Sequence, residues 1–217
     1  MSRQHAATPA PTPGRVGRVV SEDLSEEWLA RAAWAQFGSP WWFTARDRSD
    51  DPGRFDLVSP YGSCYFADDP VVALIEKLTD PEDLDALIST ATLDALVVWE
   101  GPVVGTHQIA DLTARSSRVS KQLGAGSDYE ASWTWADALH ADGRSGIRWW
   151  QRLDPGPGRG VVVFGPTSAP EALPDPHQWP PLEVRTPAHA WRDELEDVFD
   201  IVEDLPQLDE LERAPDP

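Results

Sequence analysis

The sequence predicts a mixed α+β domain, and three observations predict it. Strand and helix patterns are interspersed along the chain without an evenly alternating strand–helix repeat. No glycine fingerprint for phosphate opens a helix after a strand, so a doubly wound nucleotide-binding sheet has no support. The chain's 217 residues, 41% apolar with eleven tryptophans, suffice for one compact core and are short for two.

Residues 1–20, rich in Pro, Ala, Gly and Arg, bury too little to offset ordering entropy and read as a flexible arm. From Ser21 a helix is predicted to run towards Gly38: Ser21 caps, Glu22 and Asp23 suit the positive end of the dipole, and Leu24, Trp28 and Leu29 form an apolar face. Trp41–Ala45 and Ser63–Ala67 read as strands. Asp69 before Pro70 is a helix start, with Val71–Leu78 as its body, and Asp80-Pro81 repeats the signal.

Leu96–Trp99 and Val103–His107 read as β segments, and Leu112–Leu123 as a helix. Ser127 and Glu130 have capping-box spacing and open a helix to about Asp142. Gly146–Gln151 and Gly160–Phe164 form a predicted hairpin around Asp154–Gly158. This main unit spans 21–169. Residues 170–187 are a Pro-rich linker, and 188–217 an acidic helix and tail, with an apolar stripe through Trp191, Leu195, Val198, Phe199 and Val202 that should dock on its own domain.

A net charge of −19 argues against a nucleic-acid partner, because a phosphate backbone would be repelled. The lone Cys64 excludes an intramolecular disulfide, and no Cys/His spacing suggests a metal site. Neither a secretory h-region nor a run of about 20 apolar residues is present, so the expectation is a soluble cytoplasmic protein without membrane contact. His107 and His140 lack a carboxylate or nucleophile at a meaningful spacing. Cys64 reads as a small buried hydrophobe.

The chemistry concentrates in one run: Gly53-Arg54-Phe55, then Cys64-Tyr65-Phe66-Ala67-Asp68, then Ala73–Leu78 bearing Glu76. An arginine, a tyrosine and a glutamate recur at intervals of eleven residues. A guanidinium forks onto phosphate oxygens, which suits Arg54 to a pyrophosphate. Tyr65 offers a flat face and a hydroxyl, and Glu76 a carboxylate for developing positive charge. Arg144, Arg148 and Arg152 share one face if their segment is a strand; lining an anionic pocket and pairing with the acidic tail both remain open for them.

With these residues placed, the chain resembles the RES family over roughly residues 40–166. That family is named for its arginine, glutamate and serine, and includes bacterial toxins that destroy NAD and are restrained by a cognate antitoxin. Arg54, Tyr65 and Glu76 match its Gly-Arg-aromatic turn, its tyrosine strand and its glutamate helix. Gly146-Ile147-Arg148-Trp149-Trp150-Gln151-Arg152 is similar to its Gly-Ile-Arg-Tyr segment, with Gln151 where serine is expected. The resemblance implies an ADP-ribosyltransferase-like fold and cleavage of the nicotinamide–ribose bond of NAD, which is substrate and not a cofactor. Phosphate, water or a protein side chain would be the acceptor, and an Xre-type antitoxin the partner. Arg54, Tyr65, Glu76 and Gln151 are its catalytic candidates, with Arg148 and Arg152 joining Arg54 and Tyr65 in binding. The competing expectation is a weakened ligand-binding or interaction module, which Gln151 favours because an amide is longer and bulkier than a serine hydroxyl.

Overall fold

A computed structural model describes residues 9–79, 87–117, 119, 122–125, 129–151, 157–168, 182 and 184–203. The helices are α1 (Pro13–Val16), α2 (Pro70–Leu78), α3 (Thr90–Asp94), α4 (Gln122–Ala125), α5 (Glu130–Ala141) and α6 (Arg192–Glu196). The strands are β1 (Val20–Asp23), β2 (Trp28–Trp34), β3 (Tyr61–Ala67), β4 (Ile88–Ser89), β5 (Leu96–Pro102), β6 (Gln108–Asp111), β7 (Gly146–Trp150), β8 (Arg159–Pro166), β9 (Val184–Pro187) and β10 (Ile201–Val202).

Eight strands form one sheet in the order β1-β6-β7-β8-β3-β2-β5-β9, and β10 pairs with β4 apart from it. Within the large sheet β6 and β7 run parallel, while the other pairs are antiparallel. The mixed α+β class is therefore as the sequence predicts: one large mixed sheet with short helices. Alternation along β8 sends Val162 and Phe164 to one face and Val161 and Val163 to the other, so both faces carry a core. On the first face α5 covers β7 while α2 covers β2 and β5 with α6 packed against it, giving two adjoining cores.

The seam between those cores is where the sheet loosens. β2 pairs with β5 along all seven of its residues, but with β3 only at Ala30↔Ala67. Helix α2 lies across this seam. Asp69 caps it, accepting from the amides of Val71 and Val72, and Pro70 stands at its first position, as the sequence predicts.

Several elements differ from expectation. The helix predicted from Ser21 to Gly38 is instead two strands, β1 on β6 and β2 on β5, joined by a tight turn: Oδ1 of Asp23 accepts from the amide and hydroxyl of Ser25, and Glu26 takes a left-handed φ of 66°. Asp23 thus closes a turn instead of starting a helix, and β2 completes its ladder on β5. Residues 41–45 keep the alternation, with Trp41, Phe43 and Ala45 buried, but pair only through a Thr44–Ser63 bridge. Val103 and His107 give their carbonyls to Glu26 and Leu24 of the turn between β1 and β2, and the strand lies at β6 instead.

The helix expected over Leu112–Leu123 is a 3-10 turn at Arg115–Ser117 and the short α4, because Oδ1 of Asp111 draws the amides of Thr113 and Ala114 into a turn. α5 starts at Glu130 after Tyr129, and Ser127 of the expected capping box lies outside the described residues, as does the helix expected at Asp80-Pro81. β7 and β8 form the predicted hairpin. Residues 13–20, expected in the arm, form α1 and the start of β1, with Val16 and Val19 buried. Val184–Pro187, expected in the linker, is the edge strand β9 on β5. The long terminal helix is a 3-10 turn, the five-residue α6 and then β10. Its apolar residues Leu195 and Phe199 are buried on the α2 core, so the stripe does dock on its own domain.

Candidate functional site

The loosened seam opens into a cavity of about 320 Å³. β2 contributes Arg31 and Ala32, β3 contributes Tyr65, Phe66 and Ala67, α2 contributes Ala73, Glu76 and Lys77, and β7 with the residue after it contributes Trp149 and Gln151. The turn after Pro52 adds Gly53 and Arg54, and Trp42 and Tyr129 complete the wall. A second lobe of about 260 Å³ shares Gly53, Arg54, Glu76, Lys77, Tyr129 and Gln151 with the first, and adds Asp51, Pro52, Thr79 and Gly124. Arg54, Tyr65, Glu76 and Gln151, dispersed over almost a hundred residues of sequence, thus line one cavity.

Cations and aromatics dominate the larger lobe: Arg31, Arg54 and Lys77 stand against the single carboxylate of Glu76. In a chain of net charge −19 this is a local inversion of sign, which favours an anionic ligand. Arg31 went unnoticed in the sequence, where a lone arginine between Ala30 and Ala32 carries no spacing signal. It is 8% exposed, lies 4.0 Å over the Trp42 ring, and donates to Sγ of Cys64 and to the Tyr65 carbonyl. Burial pulls its guanidinium below the ordinary value. Burial likewise lowers Lys77, and the charge of Arg31 adds to the effect.

Arg54 stacks 4.7 Å over Tyr129. The turn that carries it is built around Tyr65, whose hydroxyl donates to Oδ1 of Asp56 at 2.8 Å and accepts from the Phe55 amide at 2.9 Å. Gly53 is required there, since a Cβ on it would stand 2.6 Å from the Tyr65 oxygen. The proton of that hydroxyl is thereby committed to Asp56. Burial first, and Asp56 next, raise the Tyr65 phenol well above its usual range. Burial also raises the Asp56 carboxyl, against the hydrogen bonds from Tyr65 and Gly53.

Trp149 stands edge-on to Tyr65 at 6.0 Å and packs at 5.0 Å on Phe55. Gly160 allows this wall, because a Cβ there would fall 2.3 Å from Trp149 and 2.6 Å from Nε2 of Gln151.

Arg148 is not among the cavity residues. Adjacent strand residues face opposite ways, so Trp149 looks into the cavity and Arg148 away from it. Arg148 is 1% exposed and paired with Glu22, at 2.8 Å, and with Glu27. Its partners come from β1 and the turn that follows it, and neither from the cavity nor from the described residues of the acidic tail. Arg144 likewise turns to β1, donating to Ser21. Arg152 lies outside the described residues. Cys64 is fully buried on the face opposite Tyr65. His140 sits between Tyr61 and Phe164, and His107 bonds the Val104 carbonyl. Among the described residues no group of three or more His, Cys, Asp or Glu could hold a metal, and no helix is long and apolar enough to cross a membrane.

No curated protein matches the chain. Among solved structures it is similar to a chain in the crystal structure of the MbcT–MbcA toxin–antitoxin complex of M. tuberculosis, with a TM-score of 0.55 and 18% identity, covering 86% of this chain and 98% of that one. The family model for the RES domain matches residues 24–192, so all the cavity residues fall within it. The chain belongs to the RES domain family.

Proposed function

We propose that this chain cleaves the bond between nicotinamide and ribose in NAD, and that it acts as the toxin of a pair restrained by an antitoxin of the Xre type. The observation that carries the reading is the convergence of Arg31, Arg54 and Lys77 with one carboxylate, Glu76, and aromatic walls in a single cavity of an otherwise acidic chain.

Arg54 and Arg31 hold the pyrophosphate, whose two charges match a guanidinium's fork. Trp149, Tyr129 and the Tyr65 ring supply flat faces for the nicotinamide and ribose. The bond from C1′ of the ribose to the nicotinamide nitrogen breaks with its electron pair going to nicotinamide, which leaves neutral. The sugar gains oxocarbenium character, and the Glu76 carboxylate stabilises that charge where water is partly excluded. An oxygen of phosphate or water then bonds C1′; with water, a proton passes to solvent. A protein acceptor would make the same step an ADP-ribosyl transfer. The fold likeness to a toxin crystallised with its antitoxin supports a protein partner.

The test mixes purified protein with NAD, with and without phosphate, and follows free nicotinamide and the sugar product. Release that accelerates with phosphate identifies phosphorolysis, and phosphate-independent release identifies hydrolysis. Gln151 favours a second reading, a binding module with little turnover, because its amide fills space beside Gly160 that a serine would leave open. Under that reading NAD binds without release, and Gln151→Ser restores turnover.

A further inference from the structure

Asp56 follows Arg54 by two residues, is 1% exposed, and does not line the cavity. Its two carboxylate oxygens do different work. Oδ1 accepts from the Tyr65 hydroxyl at 2.8 Å, and Oδ2 accepts from the Gly53 amide at 2.7 Å. The same phenol accepts from Phe55 at 2.9 Å, so the amides on both sides of Arg54 are tied to one carboxylate–phenol pair. The turn is anchored from outside as well: Nε1 of Trp133 donates to the Gly53 carbonyl at 2.9 Å, and Arg46 to the Asp56 carbonyl at 2.8 Å.

We infer that Asp56 is a positioning residue, whose carboxylate fixes through Tyr65 and Gly53 the place at which Arg54 stands in the cavity. A carboxylate suits this task because both of its oxygens accept. Asparagine has one acceptor oxygen; if that oxygen serves the Gly53 amide, its Nδ2 can only donate to the phenol, whose own proton loses its acceptor, and alanine leaves both groups without this partner. The reach of a guanidinium from its Cα is long, so a small rotation of the backbone at residue 54 moves its donors out of register with a ligand anion. The kinetic part of this inference rests on the proposed NAD chemistry; the part concerning the turn does not.

The test compares wild type with Asp56→Asn, Arg54→Ala and the double variant. Hydrogen exchange at residues 53–55 should be at least about tenfold faster in Asp56→Asn, with the sheet core unchanged. KM for NAD should rise about tenfold with kcat within about threefold, and in the Arg54→Ala background Asp56→Asn should change kcat/KM by less than about twofold. Tyr65→Phe removes the same hydrogen bond while keeping the ring, and carries the same expectation for hydrogen exchange at 53–55 if Asp56→Asn does not fold. Unchanged exchange at 53–55 overturns the inference, as does an equal loss from Asp56→Asn with and without Arg54, which marks a merely structural residue. Wild type that releases no nicotinamide refutes the NAD reading instead, and exchange at 53–55 then decides the inference alone.

Discussion

Gly53 and Tyr65 touch so closely that no side chain fits between them: a Cβ on residue 53 would lie 2.6 Å from the phenolic oxygen and 2.8 Å from the ring carbon bearing it. Gly53→Ala should therefore push the phenol off Asp56 and displace Arg54, with a stability cost of about 1–3 kcal/mol from overpacking. Melting and nicotinamide-release assays should show a loss of kcat/KM larger than the change in melting temperature explains. Full activity would mean that the turn tolerates displacement.

Glu76→Gln keeps the shape of the side chain and removes its charge. Nicotinamide release should fall about 10²–10³-fold, because a charge aimed at the transition state is lost. NAD affinity, measured by calorimetry, should not fall, since removing the carboxylate's charge also removes its repulsion of the phosphates.

Arg148 separates a structural cation from a ligand-binding one. Arg148→Met strips Glu22 and Glu27 of their partner and should cost up to about 3 kcal/mol, less than for fully buried pairs because each carboxylate is 33% exposed. KM for NAD should stay within about twofold of wild type under conditions where the variant is folded. A tenfold rise in KM would place Arg148 in ligand binding after all.

His140 predicts a pH effect on stability. Burial lowers its imidazole below the ordinary value, so between that lowered value and about 6.5 the unfolded chain binds more protons than the folded one. The contribution is complete above the unfolded value and is lost as pH falls through the folded one. The drop in melting temperature from pH 7.5 to 5 should be smaller in His140→Phe than in wild type by about 1–3 °C. Identical slopes would remove His140 from the account.

How much was legible in the sequence depends on whether a signal was local. Asp69-Pro70 fixed its helix because cap and φ restriction lie within one turn of chain. Ser21–Asp23 carried equally local helix signals and misled, because Asp23 satisfies Ser25 in a turn while β5 offers residues 28–34 a full ladder. In the site, Arg54, Tyr65 and Glu76 were legible through their order and context, not through periodicity. Arg31 was invisible, because its place in the cavity depends on β2 leaving β3 after a single pairing, a long-range property of the sheet. Asp56 did carry a signal, an acid at the end of the Gly-Arg-Phe turn, but only the structure supplies the phenol that meets it. For Arg148 the shared strand face was readable and the direction of that face was not.

The central claim is that Glu76 and the cations around it break NAD, and free nicotinamide measured over time in purified protein with NAD tests it most directly. The account predicts steady release by wild type and none above background by Glu76→Ala. Equal release by both proteins, or NAD bound in the cavity and left intact by wild type, would contradict it.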